Sequence, residues 1–300
     1  MSGLKIGNQT LTWGARTIVM GILNITPDSF SGDGLLPASP PAPLPQGDGN
    51  HAALSQARDF LAAGADILDV GGESTRPGAQ TVSAEEELER VIPVIRAIRA
   101  EFPEALISID TCKARVAEAA FEAGAGILND VWGLRADPDL GPVAARYGAP
   151  VILMHNRSNP ASVEVRGRLG NAYIGPEYDD LLEDVKRELM DSVKLARQAG
   201  IPDERIILDP GIGFGKTVGQ NLELINRLDE IRALGFPVLL GPSRKSFIGF
   251  TLDLPPDQRL EGTAAAVAIG IARGADIIRV HDVTQMARVA RMTDAIVRKK

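Results

Sequence analysis

The chain has 300 residues, 44% of them hydrophobic, and a formal net charge of −7. That is enough for one large core, and the acidic balance argues against an extended nucleic-acid footprint, which needs clustered Lys and Arg; an anion would have to bind in a local pocket. The single cysteine, Cys112, excludes an intrachain disulfide, and neither a leader-type N-terminus nor an apolar run of membrane-spanning length is evident, so the expectation is a soluble, cytoplasmic protein with no membrane partner.

Residues 1–16 read as an N-terminal extension. The first apolar, β-rich run is "TIVMGIL" (17–23), which gives way to Asn24 and then "ITPDSF". A proline-rich loop expected to be mobile covers 31–50; its segment "GLLPASPPAPLPQGDGN" (34–50) holds five prolines and little that can pack. A helix over 51–65 leads to "DILDVG" (66–71), a helix over 83–102 to "LISI" (106–109), and a helix over 112–125 to "GILN" (126–129) and "VILM" (151–154). A second long connection, 156–177, precedes a helix over 178–200 with Leu181, Val185, Leu189 and Val193 at i, i+4 spacing and acids before bases, as the helix dipole favours. "RIILD" (205–209), a helix over 220–234, "PVLLG" (237–241), a helix over 259–273, "DIIRV" (276–280) and a helix over 283–298 complete the chain. The apolar runs lack polar alternation, as strands covered on both faces do. Eight of them alternating with helices predict a single (β/α)8 TIM barrel over residues 1–300, with its active site at the C-terminal ends of the strands.

Polar residues collect at those ends. Asn24 follows strand 1, Gly71-Gly72-Glu73-Ser74-Thr75-Arg76-Pro77 strand 2, Asp110 strand 3, Asn129-Asp130 strand 4 and His155 strand 5. Asp209 ends strand 6, Ser243-Arg244-Lys245-Ser246 follow strand 7, and Arg279-Val280-His281-Asp282 close strand 8. A lone Asp after a strand most often caps the next helix, and Asp110 and Asp282 fit that reading taken singly. Repetition round all eight strands favours a shared mouth. "DPGIGFGKT" (209–217) matches neither a Walker loop nor a dinucleotide fingerprint, so its glycines fit a backbone lying against a flat ligand, with Asp209 and Phe214 beside it. Lys245 and Ser246 at a helix start suit an anion, and Arg279 and His281, two apart on one strand face, suit a second anion clamp. The competing reading pairs these cations structurally with Asp110, Asp209 and Asp282. His155 fits a satisfied core histidine and His51 an exposed one.

The ordered set "MGILNITPDSF", "GADILDVGGESTRPGA", "SIDTCKA", "NDVWG", "ILMH", "DPGIGFGKT", "GPSRKSFIG" and "RVHDV" resembles the dihydropteroate synthase family from about residue 17 to the C-terminus. The resemblance implies a transferase of folate biosynthesis that condenses 6-hydroxymethyl-7,8-dihydropterin pyrophosphate with p-aminobenzoate by a dissociative substitution, uses Mg2+, is the target of sulfonamides and works as a homodimer. It implies that Asn24 ligates the metal and, with Arg76, Arg279 and His281, meets the pyrophosphate. Asp110, Asn129, Met154, Asp209, Phe214 and Lys245 would hold the pterin; Thr75, Arg76, Pro77, Phe214 and Ser246 would enclose p-aminobenzoate. Lys245, Arg279, His281 and Asp110 would carry the catalysis. Two departures concern the first loop: Ser31-Gly32-Asp33-Gly34 stands where the family often reads "SDGG", and the proline-rich continuation is long. Rival readings are a folate-dependent methyltransferase working with a corrinoid partner, a non-catalytic pterin-binding paralogue, and a Schiff-base aldolase, which would want its lysine inside the barrel.

Overall fold

The computed structural model describes residues 3–26, 46–74, 81–159, 163–165, 167–173 and 177–298. Eight strands form one parallel sheet: β1 (Ile18–Asn24), β2 (Ile67–Gly71), β3 (Leu106–Asp110), β4 (Ile127–Asp130), β5 (Val151–Met154), β6 (Ile206–Asp209), β7 (Leu239–Leu240) and β8 (Ile277–Val280). The hydrogen-bonded order runs β6-β5-β4-β3-β2-β1-β8-β7. A parallel bridge between Leu208 and Val238, with Leu208 N–H donating to Pro237 O at 2.9 Å, closes the ring. The principal helices are α1 (Gln46–Ala63), α2 (Ala84–Glu101), α3 (Ala114–Ala123), α4 (Leu140–Arg146), α5 (Leu181–Gln198), α6 (Val218–Asn226, continued by Leu228–Arg232), α7 (Leu260–Ala272) and α8 (Val283–Val297).

Local chemistry accounts for the helix ends. The Asp180 side chain accepts from Glu183 N–H and starts α5, whose predicted apolar row is buried throughout. Thr217 and Gln220 form a reciprocal capping box on α6. Gly124 takes φ 116° to end α3, a conformation that side chains with a Cβ avoid. One difference from the sequence reading moves residues between elements: α1 begins at Gln46, so 46–50 belong to a helix and not to the proline-rich loop. The order of the loop's remainder, 31–45, and the "PDSF" segment lie outside the described residues.

Because side chains alternate across a strand, the barrel separates two cores. The outer one, between sheet and helices, takes Val19, Leu68, Ile107, Leu128, Leu153, Leu208 and Ile278 with the inward stripes of the helices. The inner one contains Ile18, Met20, Ile67, Leu106, Ile127, Ile152, Ile207, Leu239 and Ile277 together with Leu4, Leu11 and Trp13. The last three come from a hairpin, Gly3–Ile6 paired with Gln9–Thr12, whose two-residue turn places Gly7 at φ 57°. The N-terminal extension is thus the plug that seals the barrel floor from water. Among the described residues no helix is long and apolar enough to cross a membrane.

Candidate functional site

The same inward alternation, followed two residues further along each strand, turns from apolar to polar. Ile67 is followed on its face by Asp69 and Gly71, Leu106 by Ser108 and Asp110, Ile127 by Asn129, Ile152 by Met154, Ile207 by Asp209, and Ile277 by Arg279. Register sets these residues side by side: Asn24 opposes Gly71, Gly71 opposes Asp110, Asp110 opposes Asn129, and Met154 opposes Asp209. The result is a polar cup on an apolar plug, at the C-terminal mouth of the barrel.

Arg279 is the centre of the cup's floor. Its Nε donates to Asp69 Oδ2 at 2.6 Å and its Nη2 to Asp110 Oδ2 at 2.7 Å. Asp69 Oδ2 also accepts from Asn129 Nδ2 at 3.0 Å, which engages one of that amide's two N–H donors. Burial works against the charge on Arg279, but Asp69 and Asp110 outweigh it and hold the guanidinium above its ordinary value. Burial pushes the Asp110 carboxyl up to about 7, with Arg279 opposing the rise. Asp69 Oδ1 and Ser108 Oγ, neighbours in register, are both buried with no hydrogen-bond partner among the described residues.

The opposite wall is built by the segment after β6. Gly211, Gly213 and Gly215 have φ of 71°, 82° and 62°. A Cβ on Gly211 would stand 1.8 Å from His155 O, and one on Gly213 2.7 Å from Lys245 Cδ, so this backbone lies flush against both neighbours only as glycine. Asp209 Oδ1 accepts from Gly211 N–H at 2.7 Å. Lys245 donates to Ile212 O and places its ammonium 4.3 Å from the centre of the Phe214 ring. Burial draws Lys245 down to about 7, against the pull of Asp209, and raises Asp209, against Lys245.

Lys245 is aimed by its neighbour. Arg244 adopts φ 56°, which costs a non-glycine residue on the order of 1 kcal/mol. It is held there by Nε and Nη2 donating to both oxygens of Asp282, at 2.9 and 2.6 Å, and by Arg259 Nη1 donating to Arg244 O at 3.0 Å. The two adjacent cations therefore divide their work: Arg244 is structural, and Lys245 faces the cup. Ser246 is the first residue of the short helix Ser246–Leu252.

Of the residues singled out from sequence, Asp110, Asn129, Met154, Asp209, Phe214, Lys245 and Arg279 come together in or around this cup, and Asn24 stands at the same rim. His281 also lies at the end of β8, where its Nδ1 is 3.1 Å from Ser243 Oγ. Thr75, Arg76 and Pro77 lie outside the described residues. Neither carboxylate suspected of capping does so: Asp110 pairs with Arg279, and Asp282 with Arg244. The structural-pairing alternative is thus realised for those two pairs. His155 is a buried, fully partnered histidine as expected, and His51 is exposed. Sequence reading passed over Asp69 and Ser108, although each stands two residues before a recognised rim position and so shares its face.

Fold and site together define a barrel enzyme whose buried acids, amide and cations converge on one concave mouth. Residues 20–281 match the pterin binding enzyme family. A dihydropteroate synthase of Clostridium beijerinckii is 48% identical over 99% of this chain and 100% of its own, and that of Bacillus subtilis is 49% identical over 96% and 92%. Among solved structures, a Clostridium difficile dihydropteroate synthase determined with pteroic acid superposes with a TM-score of 0.83 at 46% identity, covering 96% of this chain and 99% of that one. A Xanthomonas albilineans dihydropteroate synthase determined with 4-aminobenzoic acid does so with 0.84 at 39%, covering 99% and 98%. The chain belongs to the pterin binding enzymes and, within them, to the dihydropteroate synthases, transferases of folate biosynthesis.

Proposed function

We propose that the cup seats 6-hydroxymethyl-7,8-dihydropterin pyrophosphate, receives p-aminobenzoate at its rim, and joins the two to 7,8-dihydropteroate with release of pyrophosphate. The observation that carries this reading is the inward tier of Asp110, Asn129, Asp209 and Arg279, with Lys245, above a sealed apolar floor. A flat heterocycle with an amino group beside a ring N–H matches a buried carboxylate, and Asp209 would accept from both. Lys245 would donate to the ring oxygen and nitrogen on the other edge. The Asn129 carbonyl oxygen, with one of its amide donors bound to Asp69, would accept a further ring N–H, and Met154 would wall the ring.

The bond from the exocyclic methylene carbon to the pyrophosphate oxygen breaks with its electron pair leaving on pyrophosphate. The dihydropterin ring delocalises the resulting cation, and the aromatic amine then forms the new C–N bond and loses a proton. In this scheme the protein positions reactants and balances charge, and no side chain acts as nucleophile. Arg279 Nη1 and His281 would meet the departing anion, together with Arg76. Thr75, Arg76, Pro77, Phe214 and Ser246 would enclose p-aminobenzoate, with its carboxylate at Ser246.

Asn24 fits Mg2+ as one neutral oxygen donor at the rim. Among the described residues no group of three or more His, Cys, Asp or Glu side chains could hold a metal, so the donor set suits a hard cation whose other ligands are phosphate oxygens and water. When bound, the ion would neutralise charge on the leaving pyrophosphate. The homodimer is supported by the apolar character of α7 and by exposed Ile269, Met292, Ile296 and Val297 on α7 and α8. Light scattering at twice the 31.9 kDa chain mass is the expected result. We place the enzyme in the cytoplasm, a setting that suits a chain whose one thiol has no intrachain partner. The test of the reaction is pyrophosphate release from purified protein given both substrates and Mg2+; release no greater than a protein-free blank would overturn it.

A further inference from the structure

Behind the glycine-rich wall, Lys216 is buried with only 4% of its surface exposed, and no carboxylate lies in ion-pair contact with it among the described residues. An ammonium group has three N–H donors, and all three are used: Gly211 O at 3.0 Å, Phe214 O at 3.0 Å and His155 Nδ1 at 2.9 Å. The chain after β6 therefore wraps round its own lysine. Burial draws Lys216 down to about 7, against the pull of Asp209, so the tautomer of His155 is fixed from its other side: the Glu188 carboxylate can only accept, Nε2 lies 3.0 Å from Glu188 Oε2 and donates to it, and Nδ1 is left with a lone pair facing Lys216. Glu188 is gripped in turn by Arg157, whose Nε donates to Oε1 at 2.9 Å, and Arg157 stacks 4.2 Å from the centre of the Tyr178 ring. Tyr178 closes the circuit by donating to Gly215 O at 3.1 Å.

Three residues of that wrapped segment also touch groups of the cup. Gly211 holds Asp209 through its N–H, Ile212 holds Lys245 through its oxygen, and Phe214 lies beside the Lys245 ammonium. We propose that Lys216 and His155, with Glu188 as their anchor, are positioning residues that set the wall carrying Asp209, Lys245 and Phe214, so that they govern pterin affinity without touching the ligand. This rests on the assignment of the cup as the pterin site. Burial keeps the imidazole neutral: it draws His155 down to about 4, and the neighbouring Lys216 adds to the effect.

The test uses full-length variants and 6-hydroxymethylpterin as the probe, with affinity read by calorimetry and folding by melting temperature. Lys216→Met keeps the length of the chain and removes all three donors, and is expected to weaken binding at least tenfold. His155→Asn and His155→Gln separate positioning from packing. Asparagine places an oxygen near the lost Nδ1 and still accepts from Lys216, whereas glutamine fills the imidazole volume better but reaches only toward Glu188. The proposal expects His155→Asn to bind within about threefold of wild type and His155→Gln to bind at least tenfold more weakly. The reverse order, or equal affinities for the two, overturns it, as does wild-type affinity in a folded Lys216→Met protein. Failure of the wild-type protein to bind the probe would instead sink the pterin-site assignment and this inference with it.

Discussion

Replacing Asp69 with asparagine removes one charge from the cup's floor while keeping its volume. In the native chain Asp69 is fully buried, and its Oδ2 accepts from Arg279 Nε at 2.6 Å and from Asn129 Nδ2 at 3.0 Å. A hydrogen bond to a charged group contributes about 1.5–3 kcal/mol, against about 0.5–1.5 kcal/mol for a neutral pair, so the Asn129 bond loses about 1–1.5 kcal/mol; the Arg279 bond stays charge-assisted by the guanidinium but loses its ion-pair attraction, a similar loss of about 1–1.5 kcal/mol with Asp110 still in place, about 2–3 kcal/mol in all. Oδ1 has no hydrogen-bond partner among the described residues, so the amide group that replaces it breaks no existing bond there. An unfolding entropy of about 2.1 cal/mol/K per residue over 300 residues converts 1 kcal/mol into about 1.6 °C of Tm, and the expected fall is about 3–5 °C by scanning calorimetry. A double-mutant cycle with Arg279→Met isolates the pair, with an expected coupling of about 2 kcal/mol. If the two substitutions add to within about 0.5 kcal/mol, the carboxylate does not hold the guanidinium and the account of the floor fails.

Asp209→Asn turns one acceptor into a donor opposite the pterin edge and should weaken pterin binding by about 10- to 100-fold, on the order of 1.5–3 kcal/mol; calorimetry showing unchanged affinity would remove Asp209 from the pocket. For pH, the folded chain retains a proton on Asp110 between its ordinary 3.8 and about 7, where the unfolded chain has released it. This carboxyl therefore makes stability fall as pH rises across that window, and Asp110→Asn should flatten the slope; denaturant titrations at several pH values with parallel slopes for both proteins would contradict this. Trp13→Ala opens the plug and should cost about 3–5 kcal/mol, read as a Tm drop of about 5–8 °C with kcat little changed, since the hairpin lies at the far end of the barrel from the cup. A melting temperature within about 1 °C of wild type would mean that the inner core does not depend on the hairpin.

How much could be read in advance varied with the kind of interaction. The eight strands were visible because a parallel sheet covered on both faces demands unbroken apolar runs, and their ends shifted by only a residue or two. The long α5 pattern was equally plain, since periodicity and a capping Asp both lie within one local segment. α4 and the N-terminal hairpin were not singled out: one is short, and the four-residue arms of the other alternate weakly around Leu4 and Leu11. Asp69 and Ser108 were hidden inside runs that look wholly apolar, and recognising them takes the face of the strand, not just its composition.

The chain's order of motifs by itself determined the barrel, the end of it that carries the polar residues, and the family. Those properties depend on periodicity and on residue type at strand ends, which are local and survive in one dimension. Only the tertiary structure decided partnership: that Arg279 is shared by Asp69 and Asp110, that Arg244 turns away to Asp282, and that Lys216 is wrapped by its own loop and His155. A charged side chain chooses its partner by distance and burial across segments far apart in sequence, and those quantities exist only once the barrel has closed.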